Sequence, residues 1–241
     1  MSDAIFTYWV GMDIPADTSA ADVADFNAFY SNTHRPEVIA GNPGFLRGRR
    51  YELVQDDPRG ARGPRFIAAY DIQSNEDALL YIARNDGPVE GRPVYSDGPT
   101  AWRQRQTKWR LMWQHLLNSP ADSKVSDAPY MYLVGMNAAT GASETELAQF
   151  NAFYNTTHVG EVMNGYGFIS GARYQCMREF LHPAPGSPQF LAMYGIKNEQ
   201  AAENFMKGRL TADPSGNTFS AGPSVWMNRD TRWRLTYRLV D

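Results

Sequence analysis

The segment Phe26-Asn27-Ala28-Phe29-Tyr30 recurs 124 residues later as Phe150-Asn151-Ala152-Phe153-Tyr154. At the same offset Thr33-His34 matches Thr157-His158 and Glu37-Val38 matches Glu161-Val162, nine identities in the thirteen positions from 26 to 38. Val10-Gly11-Met12 returns as Val134-Gly135-Met136. Gly98-Pro99, Trp102, Thr107 and Trp109-Arg110-Leu111 return as Gly222-Pro223, Trp226, Thr231 and Trp233-Arg234-Leu235. After a one-residue deletion, Gly44-Phe45 and Arg50-Tyr51 match Gly167-Phe168 and Arg173-Tyr174. One offset held across separated blocks marks an internal duplication. Two units of ~120 residues are too long and too few for a solenoid. The chain of 241 residues divides instead into repeats at 1–118 and 128–241, with the small, polar stretch 119–127 as linker.

Each half reads β-α-β-β-α-β. Ile5 to Ile14 is aromatic and β-branched and stops at Pro15, which predicts a strand. Thr18 or Ser19 can cap the next segment, where Val23, Phe26, Phe29-Tyr30 and Thr33-His34 fall at helical spacing until Asn42-Pro43-Gly44. Strands are expected over Phe45–Leu53 and Arg65–Ile72, and a short helix over Asn75–Arg84. A Gly/Pro-rich loop from Gly87 to Pro99 leads to a last strand near Thr107–His115, where large apolar and polar residues alternate. The second half repeats this order from Pro129 to Leu239. The pattern is the ferredoxin-like split motif, an antiparallel sheet with both helices on one face and the other face needing cover. The expected fold is therefore α+β, two tandem ferredoxin-like (βαββαβ) repeats packed sheet to sheet as a pseudo-dimeric α+β barrel.

Composition removes several function classes. The 23 Lys and Arg against 26 Asp and Glu leave a formal charge of −3, so no basic field for nucleic acid is expected. No apolar run approaches the ~18–20 residues that span a bilayer, so no membrane partner is expected. The first residues lack a basic stretch followed by an apolar one, and no secretory signal is expected. Cys176 is the only cysteine, which excludes an intrachain disulfide and a cysteine-rich zinc site and makes the cytoplasm the expected compartment. His34, His115, His158 and His182 show no metal-ligand spacing, and there is no Gly-rich phosphate loop, so neither metal nor cofactor is expected. Aromatic residues reach 13%, enough to furnish a pocket beyond the core.

The block around His34 resembles a known family. Phe26-Asn27-Ala28-Phe29-Tyr30, His34-Arg35-Pro36, Pro43-Gly44-Phe45 and Arg49-Arg50-Tyr51-Glu52 together resemble the EthD-like branch of the dimeric α+β barrel superfamily. The second half resembles it through His158 and Gly167-Phe168, but has Gly160 in place of the proline. The resemblance implies a ligand cavity between the sheet and the first helix. It also implies relatives that are cofactor-free isomerases, cyclases, dehydratases or decarboxylases on aromatic or polyketide-like compounds, with cofactor-free monooxygenases, haem enzymes and proteins of no known activity among them.

His34 is the foremost candidate, because an imidazole can give or take a proton near neutrality without a cofactor. Phe26, Tyr30 and His34 share one helix face, and a core histidine at the helix end is the plainer reading of the same spacing. His158 and Tyr154 are the second-half counterparts. Tyr30 could donate a hydrogen bond to a substrate oxygen, and Arg49, beside Arg47 and Tyr51, could hold a carboxylate or phenolate. Asp71 could orient His34 or act as a base, and Trp9 and Trp113 could stack on a flat ligand. The expected function is a cofactor-independent lyase or isomerase using acid/base chemistry on an aromatic or polyketide-like substrate. His34 and His158 are its catalytic residues, with Tyr30, Arg49, Trp9, Asp71, Tyr154 and Trp113 binding substrate. A non-catalytic binding protein for aromatic ligands and a cofactor-free or haem oxygenase are the alternatives. A homodimer is compatible with tandem fusion and not required by it.

Overall fold

The strand β1, Phe6–Asp13, is buried on both faces, and its alternation sorts the whole molecule into an inside and an outside. Trp9 and its parity partners point one way, Phe6, Tyr8 and Met12 the other. A computed structural model describes residues 6–88, 92–209 and 219–241. The expected strand residue Ile5, part of the Gly87–Pro99 loop and residues 210–218 of the second half lie outside the described residues. After β1 come helices α1 (Ala20–Phe29) and α2 (Arg35–Gly41), joined by one wide π turn, Tyr30–His34. Strands β2 (Phe45–Gln55) and β3 (Phe66–Ile72), helices α3 (Asn75–Asp86) and α4 (Thr100–Arg103) and strand β4 (Gln106–Ser119) follow. A 3-10 turn at Val125–Asp127 leads to β5 (Tyr130–Asn137), α5 (Glu144–Phe153), a second π turn (Tyr154–His158) and α6 (Val159–Tyr166). The described chain ends with β6 (Ser170–Leu181), β7 (Phe190–Ile196), α7 (Glu199–Gly208), α8 (Ser224–Met227) and β8 (Asp230–Leu239).

The strands close into one antiparallel barrel in the order β1-β3-β2-β8-β5-β7-β6-β4. This overturns the expectation of two ferredoxin-like repeats packed sheet to sheet. The seams are backbone ladders, β2 with β8 from Tyr51↔Leu239 to Gln55↔Thr236, and β4 with β6 from Arg110↔Leu181 to Ser119↔Gly171. The physical reason is the edge. An open four-stranded sheet presents unpaired N–H and C=O groups on its outer strands, and closure pairs them. The alternation of large side chains that suggested two stacked sheets is equally the signature of a barrel wall with a core on each side. Strand β4 is also longer than expected and takes in Ser119, while Val125, within the expected linker, is buried.

Three cores result. One fills the barrel, with Trp9, Leu111, Trp113, Leu133, Leu191 and Leu235 among its members. Each of those leucines is 0% exposed, and burying one is worth roughly 1.5–3 kcal/mol. The interior is thus lined by large apolar side chains shut off from solvent. The other two cores lie outside the barrel, one under α1, α2 and α3 and one under α5, α6 and α7.

The closed ladder predicts that the two halves do not fold alone. Fragments 1–119 and 120–241, expressed separately, are expected to aggregate or lack a cooperative thermal transition, and to recover both on mixing. Size-exclusion chromatography and circular dichroism check this, and a monomeric, cooperatively melting 1–119 fragment contradicts it.

Candidate functional site

The helix that carries His34 starts at a Ser19 cap, whose Oγ accepts from the Asp22 N–H at 3.1 Å. Phe26, Tyr30, His34 and Val38 are all buried, although residues four apart drift about 40° per step on a helix of 3.6 residues per turn. The π turn absorbs that drift. The Arg35 N–H bonds to the Tyr30 carbonyl, five residues back, and the widened turn keeps all four side chains on the sheet. Beneath it, Arg50 of β2 lies 4.5 Å from the Tyr30 ring centroid. It also donates to Asn27 Oδ1 at 2.7 Å and Ser31 Oγ at 3.2 Å. A buried cation held by an aromatic face and helix acceptors fixes the helix on the sheet. Above it, Gly98 admits the α4 turn. A Cβ there would lie 2.6 Å from Phe29 Cε1 and 2.5 Å from Trp102 Cδ1. Only glycine lets Trp102 settle against His34.

Between this helix and the outer face of the barrel is a cavity of about 240 Å³. The helix contributes Tyr30, His34 and Val38, the sheet Tyr8, Tyr70 and Arg110, and the segments over the top Tyr81, Tyr95, Trp102 and Arg105. The His34 ring lies 4.2 Å from Trp102 between centroids, with Tyr30 at 5.0 Å and Tyr95 at 5.1 Å edge-on. His34 Nδ1 is buried and has no hydrogen-bond partner in the chain. Burial, helped by the charge of Arg105, pushes the His34 pKa down to about 4, so the ring is neutral near pH 7. Burial raises the pKa of the Tyr30 and Tyr70 phenols, which keeps both protonated. Their hydroxyls meet at 3.3 Å. Arg110 Nε donates to Tyr8 Oη at 2.7 Å and its Nη2 to Asn85 Oδ1 at 2.7 Å.

Of the residues singled out from sequence, Tyr30 and His34 line this cavity and Trp9, Arg49, Asp71 and Trp113 do not. Trp9 and Trp113 pack against each other inside the barrel, 6.0 Å between centroids. Arg49 donates to Asp71 Oδ2 at 2.9 Å and to Asp127 Oδ1 at 2.6 Å, and Arg47 joins the same two carboxylates. The expectation that Asp71 orients His34 is thereby corrected. Asp71 has the parity of Ile67 and Ala69, which belong to the barrel interior, and the sheet stands between it and the cavity. Sequence reasoning missed Tyr8, Tyr70, Tyr81, Tyr95, Arg84, Arg92 and Arg105. The parity of β1 was the available signal, since Tyr8 shares a face with Phe6 and Met12. The recurrence of Trp102 and Arg105 as Trp226 and Arg229 was another.

His158 and Tyr154 stand in similar surroundings. His158 has Trp226 at 4.5 Å and Tyr154 at 5.0 Å, and Tyr154 meets the Tyr194 hydroxyl at 3.2 Å. Burial brings the His158 pKa down to about 4 as well. The rest differs. Phe205 and Phe219 occupy the positions 124 residues beyond Tyr81 and Tyr95. Arg209 lies over the Tyr132 ring at 4.9 Å and donates to the Arg234 carbonyl at 2.8 Å and Thr236 Oγ1 at 3.2 Å. His158 Nδ1 is 3.6 Å from Glu161 Oε2.

Among the described residues, those around the first-half cavity do not fit a haem. The first-half cavity, about 240 Å³, is below the ~300–1,000 Å³ of pockets for drug-sized ligands, and a haem is larger than those. His34 and His158 are boxed by aromatic rings, and His115 Nε2 is engaged with Asn118 Oδ1 at 2.9 Å. Among the described residues no group of three or more His, Cys, Asp or Glu is placed to hold a metal ion. No described helix is long and apolar enough to cross a membrane.

No family model matches the chain, and no curated protein matches it in sequence. Solved structures do share its fold. A candidate chlorite dismutase is 14% identical with a TM-score of 0.51, over 100% of this chain and 96% of that one. An anthrone oxidase-like protein is 12% identical with a TM-score of 0.52, over 100% and 94%. At such identities the likeness is one of fold alone.

Proposed function

We propose that the chain is a cofactor-independent enzyme that moves a proton on a small, flat aromatic ketone or phenol, with His34 as acid and base. The observation that carries this reading is the imidazole itself. It is buried, neutral near pH 7, lacks a partner at Nδ1 and forms part of a cavity wall. A general base must be deprotonated at the working pH and within reach of the proton it takes. Removing a proton from a carbon beside a carbonyl leaves negative charge on the oxygen. Tyr30, kept protonated by burial, and Arg110, braced by Tyr8 and Asn85, are the donors for that charge. His34 then returns the proton to another carbon in an isomerisation, or to a departing oxygen in a dehydration. Cyclisation starts from the same enolate, whereas C–C cleavage beside the carbonyl releases it, and His34 then supplies the proton that quenches it. The EthD-like motifs around His34 support this reading. So does the shared fold of an anthrone oxidase-like protein, since an anthrone is a flat aryl ketone.

In this reading residues 1–118 hold the chemistry and 128–241 complete the barrel. Tyr154 and His158 are the second-half equivalents, with Arg209 lying across their side of the sheet. Trp9, Trp113, Arg49 and Asp71 support the wall from within. A binding protein without turnover is the second reading, favoured by the same aromatic enclosure of His34.

Proton exchange separates the two. In D2O a panel of flat phenols and aryl ketones, anthrone included, is followed by NMR. At least one member is expected to exchange a carbon-bound proton faster with the protein. His34→Gln is expected to slow that exchange ~100-fold or more, the usual size of a general acid/base contribution. Exchange that persists in His34→Gln removes His34 from the chemistry, and no exchange by any member leaves the binding reading.

The low pKa of His34 fixes the pH dependence. With the base form present above about pH 4, kcat/KM is expected to rise through that pH and stay level to pH 8. An acid limb near 6.5 contradicts a neutral, buried base. Stability follows the same shift. His34 and His158 titrate near 6.5 when unfolded and about 4 when folded, so between those values the unfolded chain binds more protons. Stability is thus undiminished above pH 6.5 and falls as pH drops from 6.5 to 4. Thermal melts of a His34→Gln/His158→Gln variant are expected to show a flatter decline over that window.

A further inference from the structure

Among the described residues, the cavity beside His34 is lined by four arginines, Arg84, Arg92, Arg105 and Arg110, and by no aspartate or glutamate. That is the reverse of the chain as a whole, whose formal charge is −3. All four are half-buried. Among the described residues none is in an ion pair; the pairs that form lie elsewhere. Three are tied to neutral acceptors. Arg110 is held by Tyr8 and Asn85, Arg84 by Asn42 Oδ1 and the Gly41 carbonyl, and Arg92 by the carbonyls of Asn85 and Gly87. Such bonds orient a guanidinium and leave its charge uncompensated. Arg92 Nε is moreover buried without any acceptor.

Arg105 is the least committed. Its guanidinium carbon lies 3.4 Å from the Trp102 ring centroid and it makes one hydrogen bond, from Nη1 to the Trp102 carbonyl at 2.6 Å. Stacking fixes the plane of the fork while Nε and Nη2 stay available, the arrangement that suits a planar carboxylate. The same Trp102 ring packs on His34, so the fork and the imidazole share one neighbour. Four half-buried cations lining one cavity have given up part of their hydration, and an anion among them offsets that loss.

We propose that the ligand of this cavity is an aromatic carboxylate, with Arg105 as the group that takes its carboxylate and Arg84 and Arg92 adding to the field. This rests on the reading of the cavity as a ligand site and narrows its substrate class. Among aryl ketones and phenols, those that also carry a ring carboxylate are the better occupants. An acid fused to a flat ring system satisfies both the aromatic walls and the arginines.

The test uses 2-naphthoate and its uncharged isostere 2-naphthamide, titrated into the full chain by calorimetry with tryptophan fluorescence in parallel. The carboxylate is expected to bind at least tenfold more tightly than the amide and to lose affinity as salt is raised. Arg105→Gln is expected to bring the two ligands to parity, while Arg105→Lys retains part of the preference. Equal affinities in the wild type, no binding of either ligand, or a preference unchanged in Arg105→Gln overturns the proposal. A preference confined to low salt in both wild type and Arg105→Gln does the same. His34→Gln is titrated alongside. A preference for the carboxylate that survives there, with proton exchange unaffected, leaves the anion site standing and removes only the catalytic role of His34. Proton exchange that needs His34 but shows no preference for the acid does the converse.

Discussion

Closure of the backbone ladder is the constraint on which everything else rests. Once β2 meets β8 and β4 meets β6, every strand has a neighbour on both sides and every side chain must choose the inner or the outer face. The inner face is occupied largely by buried tryptophans and leucines. The cavity beside His34 lies on an outer face, under the helices. A residue's parity along its strand settles whether it can line that cavity. Tyr8 and Trp9 are adjacent in sequence, yet one lines the cavity and the other is core.

Around each outer face the same framework is built from different residue types. Arg50 and Arg173 sit under Tyr30 and Tyr154 at 4.5 and 4.2 Å, and a π turn follows each tyrosine. These features set the positions of the two histidines. What distinguishes the faces is the cover. Tyr81, Tyr95, Arg84 and Asn85 stand over the first, and Phe205, Phe219, Gly208 and Arg209 take the corresponding places over the second. Framework and specificity are thus carried by separate sets of residues.

That division explains what was legible in the sequence. The identities at an offset of 124 lie mostly in the framework, so they located the helix, the histidine and the strands to within a few residues. They said nothing of how the strands meet at their ends. Sheet-to-sheet packing and edge-to-edge closure demand the same alternation, and the pairing partner of a strand edge leaves no local mark. The site was legible on the helix, where Tyr30 and His34 follow from periodicity. It was misread on the strands. Arg49 and Asp71 attract notice as charges, yet they neutralise each other and Asp127 within the wall. The arginines that do line the cavity come from α3, the loop before α4, the turn between α4 and β4, and β4 itself. No periodic pattern ties those segments to the helix.

Arg209 has a consequence for the second face. A guanidinium fixed to the chain a few ångströms from the Tyr132 ring forfeits little rotational or translational freedom on settling there. A free molecule must give up several kcal/mol of it. Its effective concentration at that spot exceeds what a dissolved competitor reaches under ordinary conditions. The second face therefore meets its own guanidinium at the Tyr132 ring, where the first face has Asn85 at the corresponding position. A dissolved cation seeking that ring competes with a tethered one.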